Sequence, residues 1–241
     1  MFGLGTLING AAIVLGGLLG LFFGKLLPDR TQDGLGKVCG ISTIFIGISG
    51  ALEQMITVEG TGITAGGSLL VILCLALGAL IGEGINIEGA FERFGGWLKI
   101  KSGSAKDTKF VEGFLTASFT VCIGAMAIVG ALEDGLSGDI SILTTKAILD
   151  FIIILVMAGS LGKGCIFSAI PVVVLQGAVT LLAKVVAPIM TDAALSNLSL
   201  VGNVLIFCVG VNLVFGPKVR VANLLPAIIL AVAAAFLPWS L

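Results

Sequence analysis

Apolar runs of about twenty residues follow one another along almost the whole chain, separated by short polar stretches that hold most of its charge. One such run, coiled as a helix, spans the ~30 Å hydrocarbon layer of a bilayer. The pattern predicts spans near residues 5–27, 38–56, 67–84, 111–132, 142–162, 165–187, 199–215 and 222–240. Between the third and fourth lies GEGINIEGAFERFGGWLKIKSGSAKDTKF, where Ile87, Phe91, Phe94 and Leu98 recur at helical spacing and Glu88, Glu92, Arg93 and Lys99 lie mostly elsewhere. That predicts a short helix lying in the membrane interface, either a connector too polar to span or a lipid-sensing or docking element. The expected fold class is all-α: a polytopic membrane protein of about eight transmembrane helices with a cytoplasmic interfacial amphipathic helix, forming one transmembrane domain over 1–241.

Composition strengthens this reading. Of 241 residues 57% are hydrophobic and only 11% charged, against roughly 25% charged in soluble domains, and mean hydropathy is +1.18. Charge placement supplies direction. With eight spans, one side receives Lys25, Arg30, Lys37, Arg93, Lys99, Lys101, Lys106, Lys109, Lys163, Lys218 and Arg220, and the other only Lys146 and Lys184 of the 13 basic residues. By the positive-inside rule the first side is cytoplasmic and both termini lie outside. Trp97 and Trp239 fall near opposite interfaces, as aromatic anchors would. The N-terminal MFGLGTLING has no basic n-region, so the first run is expected to be a retained span.

Several chemistries are excluded or weakened by what is present. There is no histidine, and the five cysteines, Cys39, Cys74, Cys122, Cys165 and Cys208, stand singly in apolar runs without a CxxC pair. Haem, zinc and histidine proton relays are therefore not expected, and the cysteines read as small packing residues. No phosphate-binding loop, nucleophile elbow or metalloprotease motif occurs. The chain is not expected to be an enzyme, to carry a cofactor or to bind nucleic acid; its expected partners are the lipid bilayer and a small solute or ion, Na⁺ or another cation among them.

The chain repeats itself. GALE occurs at 50–53 and at 130–133, and sliding by eighty residues aligns 40–84 with 120–164 without gaps and with eleven identities. Two copies of one hairpin in the same membrane orientation are implied. A weaker echo of 5–84 in 166–240, through pairs such as Gly17/Gly177, Leu21/Leu181 and Gly40/Gly202, would be inverted across the membrane, the relation that many secondary transporters use for alternating access. In the first span Ala12, Gly16, Gly20 and Gly24 form a small-xxx-small ladder, which predicts close helix contact within the monomer or across a homodimer.

Candidate chemistry lies inside the spans. Asp150 stands about nine residues into the fifth, on the order of 13 Å deep at 1.5 Å per residue, where a carboxylate is costly enough to imply a cavity, a partner or an ion. Lys146, four residues earlier, offers two readings: an i, i+4 ion pair with an outward-snorkelling lysine, or a cation or proton site at the acid. The fourth span collects small and weakly polar groups, Thr116, Ser118, Thr120, Cys122, Gly124 and Gly130 among them, and a helix break at Gly124-Ala125-Met126 would expose backbone to a cavity. Asn9, Gln176, Asn203 and Asn212 are carboxamides within spans, each either interhelical glue or an oxygen ligand. The expected substrate- or ion-binding set is Asp150, Gln176, Asn212, Thr120, Cys122, Met126 and Asn9.

The passages GTLINGAAIVLGGLLG at 5–20, GEGINIEG at 82–89, FVEGFLTASFTVCIGAMAIVGALEDGLSGD at 110–139, LQGAVTLLA at 175–183 and VRVANLLPA at 219–227 resemble the YdfK/YqgA-like family of bacterial membrane proteins of unknown function. The resemblance implies a prokaryotic inner-membrane location and, loosely, a transport role, and it assigns no substrate and no functional residues. It also implies a proline where Ala125 stands in many members. Together these point to a small secondary transporter for a cation or small polar solute, with a channel or non-transporting scaffold as the alternative. A membrane enzyme using Glu53, Glu133 and Asp134 comes third.

Overall fold

The structure, a computed structural model, describes residues 3–59 and 62–237, with the side chains of Asp29, Glu59 and Ala125 left aside. In chain order it contains α1 (Leu4–Gly24), α2 (Asp29–Met55), strands β1 (Ile56–Glu59) and β2 (Gly62–Ala65), α3 (Ser68–Ile85), α4 (Ile87–Lys101), α5 (Phe110–Cys122), α6 (Ala125–Leu136) and α7 (Ser141–Leu161). A 3₁₀ helix (Lys163–Ser168) then leads into α8 (Ala169–Leu181), followed by the one-turn α9 (Ala183–Val186), α10 (Asp192–Phe215), the one-turn α11 (Val221–Leu224) and α12 (Pro226–Ala234).

Six of these segments are long and apolar enough to cross a membrane, and α5 with α6 makes a seventh when the bent pair is taken as one span. The expectation of eight is met in part: the apolar stretch Val221–Ala234 is shorter than the ~20 residues a span needs, and Trp239, the second expected anchor, lies outside the described residues. The all-α expectation also misses a hairpin. Ile56-Thr57-Val58 and Ile63-Thr64-Ala65 are β-branched runs around glycines, and they pair antiparallel with Ile56 opposite Ala65 and Val58 opposite Ile63.

Large apolar side chains line the outside, as hydrocarbon rather than water demands: Phe45 is 68% exposed, Leu80 72% and Ile229 73%. Two helix pairs form the frame, and glycine makes both possible. On α1 a Cβ at Gly16 would come within 2.5 Å of the Phe151 carbonyl oxygen and one at Gly24 within 2.7 Å of that of Gly159, while Gly20 abuts the Leu155 carbonyl. The ladder of the first span is therefore filled by α7 of the same chain. On α2, a Cβ at Gly47 would come within 2.5 Å of the Phe207 amide nitrogen and one at Gly40 within 2.9 Å of the Leu213 side chain, so α10 plays the same part there.

The basic segments converge on one end of the bundle. Gln32 donates to the Gly24 and Leu27 carbonyls, the Asp107 carboxylate lies 3.6 Å from the Cβ position of Gly162, and Arg220 pairs with Glu83 at 3.0 Å. At this end α4 turns its apolar face inward: Leu98 and Gly95 are buried against α5, and Phe94 meets Phe114 with centroids 5.8 Å apart. Trp97, 53% exposed, stays on the outer side.

Candidate functional site

Helix α5 ends at Cys122 because Ile123 turns extended (φ −82°, ψ 119°) and Gly124 takes φ 151°, ψ 148°, a conformation open to glycine almost alone. Helix α6 then leaves at 62° to α5. The break that the sequence left open at Gly124 is thus present, with Ala125 rather than proline opening α6. A broken helix leaves the last carbonyls of one half and the first amides of the other without helical partners.

Lys146 reaches this break from α7. Its Nζ donates to the Val121 carbonyl oxygen at 2.8 Å and to both Asp150 carboxylate oxygens at 2.8 Å. Lys146 is 8% exposed and Asp150 3%. The pair is the i, i+4 ion pair of the first sequence reading, but the lysine does not snorkel outward; it is held against the carboxyl end of α5, where the helix dipole favours a cation. The protein's own ammonium stands where a metal cation would meet the same oxygens.

Asn9 of α1 and Gln176 of α8 complete the cluster. Asn9 Nδ2 donates to Gln176 Oε1 at 3.3 Å, and the Asn9 amide also faces the Asp150 carboxylate. Both are at most 1% exposed, and Asn9 Oδ1 and Gln176 Nε2 have no partner. Buried amide atoms in that condition carry a desolvation cost unless something else meets them. Cys122 follows Val121, whose carbonyl receives the Lys146 ammonium.

Four of the seven expected residues, Asp150, Asn9, Gln176 and Cys122, therefore come together. The structure places the other three elsewhere. Thr120 Oγ1 donates to the Thr116 carbonyl at 2.8 Å within α5, and Met126 is 40% exposed on the first turn of α6. Asn212 sits at the basic end, where its Oδ1 accepts from the Lys218 and Val219 amides and its Nδ2 donates to the Val219 carbonyl at 2.7 Å. An asparagine three residues from a helix end is placed by the turn that follows, which span depth does not reveal. Asn203 similarly bonds back to Ser199.

Two cavities flank α5. One of about 460 Å³ lies beside the break and is lined by Ser118, Cys122, Ile123 and Gly124 together with apolar side chains of α8, α10 and α12. Ser118 is 1% exposed and its Oγ has no partner. The other, of about 280 Å³, lies toward the basic end and is lined by Glu88, Glu92, Glu112, Thr116 and Asn212. Phe119 borders both, and Phe91 of α4 meets it edge-on with centroids 5.4 Å apart.

Sequence reasoning gave Asp134 only a place in the enzyme reading. The structure buries it completely and sets its Oδ1 and Oδ2 to accept the amides of Gly3 and Gly5, both at 3.1 Å. It caps the amino end of α1 from 129 residues away, where an anion suits both the free amides and the dipole. Asn223 does comparable work at α4, accepting the Glu88 amide at 2.8 Å. Among the described residues the five cysteines are free, and no three His, Cys, Asp or Glu side chains gather as a metal site would require.

Residues 4–236 match the family described as "Protein of unknown function (DUF554)". The chain is similar to the "Uncharacterized protein YqgA" of Escherichia coli (strain K12), 28% identical over 98% of both chains. It is also similar to the "Uncharacterized membrane protein YdfK" of Bacillus subtilis (strain 168), 29% identical over 94% of this chain and 93% of that one. No solved structure matches.

Proposed function

We propose that this chain, which belongs to the DUF554 family and is a helical membrane protein, is a small secondary transporter for a cation or small polar solute. The observation that carries the reading is a buried Lys146–Asp150 pair lodged against the broken α5/α6 helix. Transporter sites are built at such breaks because unwound backbone near the membrane midplane offers charges and dipoles to a ligand. A cation arriving at Asp150, whether a proton or Na⁺, competes with Lys146 for the carboxylate. Neutralising Asp150 frees the ammonium, and the two arrangements are the two states that a coupled carrier needs.

In this reading the basic end faces the cytoplasm of a prokaryotic inner membrane, both termini lie outside, and the segment from Val221 onward supplies an eighth, short crossing. Hairpins 40–84 and 120–164 are two copies of one unit, with 166–240 as an inverted echo of 5–84. The Phe91–Phe119 contact separates the acidic vestibule from the cavity beside the break, so α4 closes the path as well as connecting spans.

The scaffold alternative draws on Thr120, Asn203 and Asn212, whose polar atoms are taken up in helix and turn contacts. Against it stand three unpartnered buried groups, Asn9 Oδ1, Gln176 Nε2 and Ser118 Oγ, which a pure packing role leaves unsatisfied. The test is proteoliposome uptake of neutral and zwitterionic solutes under an imposed pH or Na⁺ gradient. Asp150→Asn is expected to abolish gradient-driven uptake while the protein still folds. Unchanged gradient dependence in that variant would remove Asp150 as the coupling group.

A further inference from the structure

We infer that the basic end of the bundle binds the phosphate headgroup of an anionic phospholipid, whose acyl chains lie along the outer face of α1. The site is separate from the α5/α6 break and does not depend on the transporter reading.

The headgroup end is an open pocket of about 460 Å³, walled by the end of α1, Gln32 of α2, the loop between α4 and α5, and the end of α7. Lys25, Lys106 and Lys109 line it with Thr108, and Asp107 is the one acid among its lining residues, so three cations face one anion. Lysines gathered between helices at a membrane surface are the usual receptor for a phosphate headgroup. These three are not neutralised from elsewhere: the ion pairs among the described side chains are Lys37–Asp33, Lys146–Asp150 and Arg220–Glu83.

Two helices end at this pocket, and open carbonyls at a helix end would repel an anion. Here they are occupied. Gln32 Nε2 donates to the Gly24 and Leu27 carbonyls, both at 3.0 Å, and the Gly162 amide closes on the Ala158 carbonyl at 3.1 Å. The loop that carries two of the lysines is also held in shape. Its Asp107 amide donates to the Ser104 carbonyl at 2.9 Å, and Asp107 Oδ1 accepts the Lys109 amide at 3.0 Å.

A second observation selects a lipid over a free anion. Leu18, Leu21, Phe22 and Lys25 share one face of α1, since they are spaced by three or four residues. Leu18 is 52% and Phe22 62% exposed on the apolar outside of the bundle, while the opposite glycine face is filled by α7. An amphiphile meets the lysines with its phosphate and this stripe with its chains, whereas inorganic phosphate meets the lysines alone. A zwitterionic headgroup brings a cation that the lysines repel.

The test titrates the purified, delipidated full-length protein in non-ionic detergent with dioleoyl phosphatidylglycerol. Two readouts are taken, the thermal unfolding midpoint and the lipid retained in native mass spectrometry. Phosphatidylglycerol is expected to bind saturably and raise the midpoint, and dioleoyl phosphatidylcholine and inorganic phosphate to bind at least about tenfold more weakly. The triple variant Lys25→Gln, Lys106→Gln, Lys109→Gln is expected to weaken phosphatidylglycerol about tenfold or more. The double variant Lys99→Gln, Lys101→Gln removes charge from the same end outside the pocket and is expected to change little. Equal affinity for phosphatidylglycerol and phosphatidylcholine would overturn the inference. Equal weakening by the two lysine variants would reduce the effect to diffuse surface charge and overturn the site. Inorganic phosphate binding as tightly as the lipid, and lost in the triple variant, would make this a free-anion site and overturn the lipid as its occupant.

Discussion

In the stretch 40–84, helix α2 runs unbroken through Ile44 and its glycines seat it against α10. Eighty residues on, in the hairpin of α5, α6 and α7, the aligned Gly124 has φ 151° and the helix bends by 62°. The second helices diverge as sharply. Leu70 and Asp150 are aligned and equally buried, each 3% exposed, but Leu70 packs in an apolar cluster with Cys74 and Leu200 while Asp150 is held by Lys146. The position aligned with Lys146 is Gly66, which offers no charge. Of the two aligned stretches, one thus has a whole first helix and an apolar core, and the other a broken helix and a buried acid matched by a lysine.

The largest expected effect comes from erasing that match. Either Asp150→Leu or Lys146→Met alone leaves a buried charge unpaired and should cost about 3–5 kcal/mol, read as a fall in thermal unfolding midpoint in detergent. The double variant, which makes the second hairpin as apolar as the first, should recover most of that stability and still lack gradient-driven uptake. Recovery of uptake along with stability would mean that the pair is structural only, and the contrast between the hairpins would lose its functional meaning.

Next in size is the break. Gly124→Ala forces a side chain into a glycine-only conformation and should cost about 1–3 kcal/mol. Ile44→Gly at the aligned place in α2 should cost about 1 kcal/mol through helix propensity and whatever packing the isoleucine makes. Only the first should reduce transport beyond its effect on the amount of folded protein. Equal effects of the two on uptake normalised to folded protein would place the site outside the break.

The residue after each GALE gives a smaller contrast. Asp134 caps α1, and the aligned Gln54 accepts from the Ser196 hydroxyl of α10 at 2.8 Å. Asp134→Ala should cost about 1–2 kcal/mol and raise hydrogen exchange at the start of α1. Gln54→Ala should cost about 0.5–1 kcal/mol, the net worth of one neutral hydrogen bond.

The smallest effect lies in α4, between the two hairpins. Burial raises the Glu88 pKa, with the Glu92 and Glu83 carboxylates adding to it against the Ala222 backbone and Arg220. A carboxyl raised on folding holds its proton more tightly in the native state, so its contribution to stability is intact at acid pH and is lost as pH rises through the folded pKa. Glu88→Gln should flatten that slope in midpoints measured from acid to neutral pH. An unchanged slope would exclude Glu88 as its source.

Much of this architecture is legible in single residues. The apolar runs place α1, α3 and α7 within a residue or so at the expected starts, because helices that face lipid must be apolar along nearly their whole length. Helix α2 starts nine residues before the expected span, since DRTQDGLGK is polar and still helical at the interface. Gly124 marked the break because a glycine amid weakly polar residues is where a helix can end. The hairpin after α2 was written in ITVEGTGIT and overlooked because alternation that short is masked by the neighbouring apolar runs.

Sequence by itself determined that the chain is a membrane protein of many helices and that Asp150 lies within a span, and it marked Gly124 as a place where a helix can break. These follow from hydrophobicity, charge and local conformation, which each residue carries with it. Only the tertiary structure decided that Lys146 turns toward the break rather than the surface, that Asn9 and Gln176 join Asp150 while Asn212 secures a distant turn, and that Asp134 accepts the Gly5 amide of α1 from 129 residues away. Those outcomes depend on which helix lies beside which. Close packing along glycine faces sets that, and no local property of the chain encodes it.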